Sequence, residues 1–192
     1  MSDLRTKRTR AAIKRAFMTL RAKKTLEKIT VKELSELAEI NKATFYLHYQ
    51  DIYDLSDKIE DELLEEAFCP LHPGNADLLD PRPFIRKVAD CHDPHREAIE
   101  TVFSDSRAAI LPDKIEALVK KYYYAENPSM ADCLYVDVLL SYMIQGSYRA
   151  FTKHEEHDRM EVLTMVMDIS RTVAELAERY QSMAAQEKNE EQ

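Results

Sequence analysis

Glycine is nearly missing from this chain: two in 192 residues, beside seven prolines. Turn-rich all-β folds and glycine-loop nucleotide sites both need more, because glycine supplies left-handed backbone and close approach to a ligand. Cysteine is scarce too. Cys69, Cys91 and Cys133 are odd in number and widely spaced, which fits neither a disulfide framework nor a zinc ribbon. Long apolar runs are lacking: the longest stretch without a charged side chain, Val138 to Tyr148, falls well short of the ~20 residues of a spanning helix. Leu4 to Lys24 holds no apolar core of a signal peptide. What is present, 45% hydrophobic and 32% charged residues, suits a folded chain of one domain or two small ones. The expectation is an all-α, cytoplasmic protein with no membrane partner.

A further absence is local. Between Arg5 and Lys24 stand nine basic residues and no acidic one. The net charge of −8 therefore conceals two unlike parts. Residues 1–50 carry 12 Lys and Arg against 5 Asp and Glu, a balance of +7; residues 51–192 carry 15 against 30, a balance of −15. Such asymmetry suggests that one end meets a polyanion, although a solvated helix face would give the same count. An acidic total is no obstacle to DNA binding, since the phosphate-facing surface is what matters.

Periodicity predicts a first helix over 4–24, with Ile13, Ala16, Phe17 and Leu20 on one face and cations around the rest. Thr30-Val31-Lys32-Glu33 has the form of a capping box, opening a short helix whose apolar face is Val31, Leu34, Leu37 and Ala38. Asn41 is a good cap for a second short helix from Lys42 to about Leu47. Asp51 caps a longer one through Ile52, Leu55, Ile59, Leu63 and Phe68. The clearest break follows at Cys69 to Pro83, with four of the seven prolines. Beyond it the spacing predicts helices at 84–91, 94–103, 114–124, 131–151 and 160–183, with Pro83, Pro94 and Pro112 at tolerated first-turn positions.

Two short capped helices joined by a tight turn make a helix-turn-helix, whose second helix enters the major groove while the first crosses the backbone. Thr30 to Leu55 closely resembles the DNA-binding domain of the tetracycline-repressor (TetR) family. The likeness is carried by the basic first helix, by Ile29-Thr30-Val31-Lys32-Glu33-Leu34, by Asn41-Lys42-Ala43-Thr44-Phe45-Tyr46-Leu47-His48-Tyr49, and by Asp51 and Leu55. It implies an N-terminal three-helix DNA-binding domain (1–50), a C-terminal helical bundle (51–187) for dimerisation and effector binding, and a disordered tail (188–192). The implied function is a transcriptional regulator, a repressor that binds a palindromic operator as a homodimer and is released by a small molecule. The alternative is a DNA-binding or partner-binding protein of the same fold that senses no ligand.

The implied DNA-binding residues are Thr30, Lys32, Asn41, Lys42, Ala43, Thr44, Tyr46, Leu47 and His48. Lys42 and Thr44 fall on the first turn of the reading helix, where side chains reach base edges or phosphates. Tyr46 and His48 resemble the family's phosphate-contacting pair. Phe45 and Tyr49, at i and i+4, are expected to face inward against Leu34, Leu37 and Phe17. The chain departs from the family at Glu39 and Ala43, where glycine is usual, and at Ile52, where lysine is common. A left-handed turn at Glu39 would cost about 1 kcal/mol relative to glycine.

The remaining two-thirds offers no catalytic constellation and implies no cofactor. Cys91-His92-Asp93-Pro94-His95 holds four metal-type side chains, yet such a cluster is more simply solvated or capping. His154 and His157 read as surface residues near a helix end, and no metal site is expected. Leu134, Tyr135, Val138, Leu139, Tyr142, Met143, Gly146 and Ala150 make one wide apolar stripe, and Leu163 through Tyr180 make another. In the family this layout dimerises as a four-helix bundle, placing two reading helices about 34–36 Å apart. The resemblance also implies an effector pocket, for which Tyr122, Tyr123, Cys133, Tyr142 and Met143 are candidate linings, and whose occupation would rotate the helix that starts at Asp51.

Overall fold

The structure is a computed structural model that describes residues 2–68 and 80–190. Among the described residues it is helical throughout, with short 3-10 turns and no strand. The helices are α1 (Ser2–Arg21), α2 (Val31–Leu37), α3 (Lys42–Tyr46), α4 (Ile52–Phe68), α5 (Arg82–His92), α6 (Arg96–Val102), α7 (Leu111–Glu126), α8 (Leu134–Lys153) and α9 (Arg159–Glu190). Pro83 and Pro112 each occupy the second position of a helix, where the missing N–H has no partner to lose. Most of the proline-rich break, residues 69–79, lies outside the described residues. α9 runs on to Glu190, into the segment read as tail, because Ala, Gln, Glu and Lys there favour helix and nothing breaks it.

The chain divides into two compact units. The first joins Met1–Ala67 to Pro94–Leu111, and the second joins Phe68–Asp93 to Pro112–Gln192. Most of α4 and a distant segment thus group with the N-terminal helices. In the first unit α1 packs on α2 and on α6, and α2 packs on α3. Ile13, Phe17 and Leu20 of α1, Leu34 of α2, and Leu55 and Ile59 of α4 are buried, together with Ile99 and Val102 of α6. Leu37 departs from the expected inward face: it is nearly half exposed, because α2 is only two turns long and Ala38 takes the buried position beside it.

Two interactions fasten the distant segment. Arg21 is buried, and its guanidinium donates to the carbonyls of Lys24 (2.9 Å), Val102 (3.2 Å) and Ser104 (3.3 Å) and to the Ser104 hydroxyl. Glu60 has no exposed side-chain surface. Arg107 Nε and Nη2 donate to its two oxygens at 2.8 and 2.6 Å, Ser56 Oγ donates to it at 2.7 Å, and Arg107 also pairs with Asp57. The bond to Glu60 is the main reason that the Arg107 guanidinium is held above its ordinary pKa.

In the second unit, Ile85 and Ala89 of α5 pack with Leu163 and Val166 of α9. Tyr123 of α7 packs with Val136 and Leu140 of α8. Between α7 and α8 runs a polar seam that periodicity does not reveal. Lys120 Nζ reaches Asp137 (2.7 Å), Glu116 (2.9 Å) and Ser141 Oγ (2.8 Å), while Gln145 donates to Glu116 at 2.8 Å. Burial alone would raise the Glu116 carboxyl, yet hydrogen bonds from Ser141, Gln145 and Lys120 hold it below its ordinary pKa.

Breaking the Arg107–Glu60 pair from the cationic side leaves a buried carboxylate under-compensated. Arg107→Met is expected to cost about 3–5 kcal/mol in chemical denaturation. The double variant Glu60→Leu/Arg107→Met should be less destabilised than Arg107→Met alone; equal or greater loss would show that the cost is not that of an uncompensated charge.

Candidate nucleic-acid interface

The interface begins with how two very short helices are held. α2 starts at Thr30, whose Oγ1 accepts from the Glu33 amide at 3.2 Å. The glutamate of the expected capping box is engaged elsewhere: both its oxygens accept from Lys24 Nζ, at 2.6 and 2.7 Å. That bond ties α2 to the end of the basic helix.

α2 ends in a Schellman motif. The Ile40 amide donates to the Ser35 carbonyl at 3.0 Å and the Glu39 amide to the Glu36 carbonyl at 3.2 Å. The residue between must be left-handed, and Glu39 has a φ of 56°. Glycine would adopt this conformation without steric cost; glutamate adopts it because the helices on either side are fixed by packing.

Asn41 then caps α3. Its Oδ1 accepts from the Thr44 amide at 2.7 Å and from the Thr44 hydroxyl at 2.9 Å. Thr44 is thereby oriented, partly buried, with its hydroxyl proton committed to the cap. A five-residue helix has no independent stability, so its orientation is set by what it buries. Phe45 and Tyr49 lie in the core, as their spacing predicts, with ring centroids 5.7 Å apart. Burial pushes the Tyr49 phenol above its ordinary pKa, opposed by the charge and hydrogen bond of Arg10. Lys58 Nζ sits 5.2 Å over the Tyr49 ring, a cation–π contact from α4.

With two aromatics turned in, the intervening residues turn out. Tyr46 is 57% exposed and Leu47 81%. Thr30, Lys32, Asn41, Lys42 and Ala43 are exposed and His48 is half-buried. The nine residues singled out from the sequence thus come from one capped helix-turn-helix, and most of them are accessible. Ile52 is buried in the core and offers no surface contact.

The basic tract contributes less than its count suggests. Arg21 points inward onto carbonyls, Lys24 is paired with Glu33, and Lys14 lies 3.4 Å from both Glu62 and Glu66. Lys32 approaches Glu36 at 3.9 Å. Arg5, Arg8, Arg15, Lys23, Lys28 and Lys42 are exposed.

The candidate pocket residues do not converge in the same way. Tyr122 and Met143 are half-buried. Cys133, which precedes α8, packs against the Tyr123 cluster. Tyr142 is 64% exposed. The Cys91-His92-Asp93 side chains lie outside the described residues, and His95 is the N-cap residue of α6. No helix of the described residues is long and apolar enough to cross a membrane. Compared with protein-family models, with curated proteins and with solved structures, the chain has no match.

Proposed function

We propose that this chain is a TetR-like transcriptional regulator: a homodimer that binds a palindromic DNA operator and is released from it by a small-molecule effector. The observation that carries the reading is the reading-head geometry. A Schellman turn joins two capped helices, Phe45 and Tyr49 are buried behind the second, and Lys42, Ala43, Tyr46 and Leu47 are exposed in front. On this reading Tyr46 and His48 donate to phosphates and fix register. Lys42 reaches a base edge or a phosphate, and Leu47 and Ala43 offer apolar contact of the kind that thymine methyls accept.

Dimerisation is supported by apolar stripes that the chain leaves uncovered. Leu134, Val138 and Tyr142 are exposed at four-residue spacing along α8, and Met165, Ile169 and Leu176 are exposed along α9. Gly146 continues the α8 stripe, and a Cβ placed there would meet nothing within 4 Å. Glycine within a helix costs about 0.5–1 kcal/mol relative to alanine, so its open position is better accounted for by a helix approaching from a second copy. An isologous two-fold pairing of this face gives the operator its palindromic symmetry. Effector release needs a coupling of about 1–3 kcal/mol between the ligand and DNA sites.

Selection of bound sequences from random DNA, at a stated salt concentration, tests the reading directly; failure to enrich any palindrome would sink it. Tyr46→Ala should weaken binding to all enriched sequences alike, by about tenfold or more, since a hydrogen bond to a charged group is worth about 1.5–3 kcal/mol. Lys42→Ala should instead change which sequences are preferred.

Leu134→Lys combined with Ile169→Lys should yield a monomer by light scattering with helicity unchanged. Wild-type protein that is already monomeric at the same concentration would remove the dimer.

Glu39→Gly should raise stability by about 1 kcal/mol, read as a higher denaturation midpoint. A lower midpoint would mean that the turn is not left-handed.

A further inference from the structure

The turn between α8 and α9 gathers three metal-ligating side chains from four consecutive residues. His154 is the C-cap residue of α8, and the His157 amide donates back to its carbonyl at 3.1 Å. This closes the turn and brings the two imidazoles face to edge, with centroids 5.7 Å apart and planes at 90°. Glu156 Oε1 lies 3.1 Å from His157 Nδ1. One ligand atom from each of His154, Glu156 and His157 lies within 4.8 Å of the others. The neighbouring Asp158 has a different task, since its Oδ1 accepts from the Glu161 amide at 2.9 Å and caps α9.

We propose that the α8–α9 turn binds a divalent transition-metal cation of the zinc class through His154, Glu156 and His157, with water completing the coordination. Two imidazole nitrogens and one carboxylate oxygen are one of the donor sets of three-ligand zinc sites. Calcium and magnesium prefer all-oxygen sites and fit it poorly. Around a tetrahedral ion with bonds of about 2.0–2.1 Å, ligand atoms lie about 3.3 Å apart. Closing the present spread therefore takes side-chain movement of an ångström or so. All three residues are exposed, so that movement is rotamer adjustment without repacking. The bound ion would staple the end of α8 to the start of α9. The site stands independently of the DNA-binding reading.

The test is calorimetric titration of the tag-free full-length chain with Zn2+, with Co2+ absorption as a second readout. One ion per chain is expected, with visible Co2+ bands. His154→Ala/His157→Ala should abolish both while circular dichroism shows the helices intact. Glu156→Gln should weaken affinity by more than the roughly 10–100-fold that follows loss of a ligand's outer partner. Uptake that is absent in the wild type, or equal in the wild type and the double histidine variant, overturns the proposal. Unchanged affinity in Glu156→Gln overturns the three-ligand set.

Discussion

A carboxylate with no access to water needs a cation beside it, and in this chain Glu60 sets that requirement in the middle of α4. Arg107 meets it with a two-pronged contact and Ser56 adds a third donor. Taking one partner away leaves the other's desolvation unrepaid, which makes the pair a device for holding segments together more than a source of net stability. Its consequence is topological. Residues 94–111 are brought back to the N-terminal helices, and with them come Ile99, Val102 and Phe103, whose burial accompanies the packing of α6 on α1. Arg21 completes the attachment by using its guanidinium on the carbonyls of Val102 and Ser104. Asp105, just beyond, has a φ of 50°, a conformation that aspartate tolerates better than most residues.

The two short capped helices α2 and α3 were legible because their determinants are local. Thr30 and Asn41 act on amides three residues away, and Phe45 and Tyr49 share a face by helical geometry alone. The left-handed turn could be located at Glu39 even without a glycine there. The Glu60–Arg107 pair was not legible. Its members are 47 residues apart, and an acid in a helix full of acids reads as solvated. Arg21 misled for the same reason: a tenth of the way along the chain, in a run of cations, nothing nearby says that its partners are carbonyls from residues 102 and 104. Burial of a charge is decided by tertiary partners, and periodicity carries no information about them.

The second unit shows the complementary limit. An apolar stripe on α8 or α9 is visible in the sequence, but both helices have apolar residues on more than one side. Which stripe is covered depends on the neighbouring helices. Leu140 and Val136 go inward with Tyr123, while Leu134, Val138 and Tyr142 are left outside. The same uncertainty applies to the candidate pocket residues. Tyr122 and Tyr123 are adjacent on α7 and only the second is buried, a difference of one residue's rotation that sequence spacing cannot fix. His154 and His157 read as surface residues from the sequence; the turn after α8 sets their ligand atoms and one of Glu156 within 4.8 Å of one another.

Charge at the candidate DNA surface also changes meaning once individual side chains are placed. The +7 balance of residues 1–50 overstates what faces outward, because Arg21 is internal and Lys14 and Lys24 are matched by acids. Salt dependence of DNA binding follows the number of phosphates neutralised, about 0.9 in the logarithmic slope for each. On the proposed reading the slope would follow the exposed cations, such as Arg5, Arg8, Arg15 and Lys42, instead of the composition. The exposed front of α3 is correspondingly apolar and aromatic, with Ala43, Tyr46 and Leu47 beside a single lysine. A surface of that kind gains little from long-range attraction. On the proposed DNA-binding reading, such a surface would discriminate by fit against methyl groups and groove shape, while cations farther back on α1 would supply the sequence-independent hold.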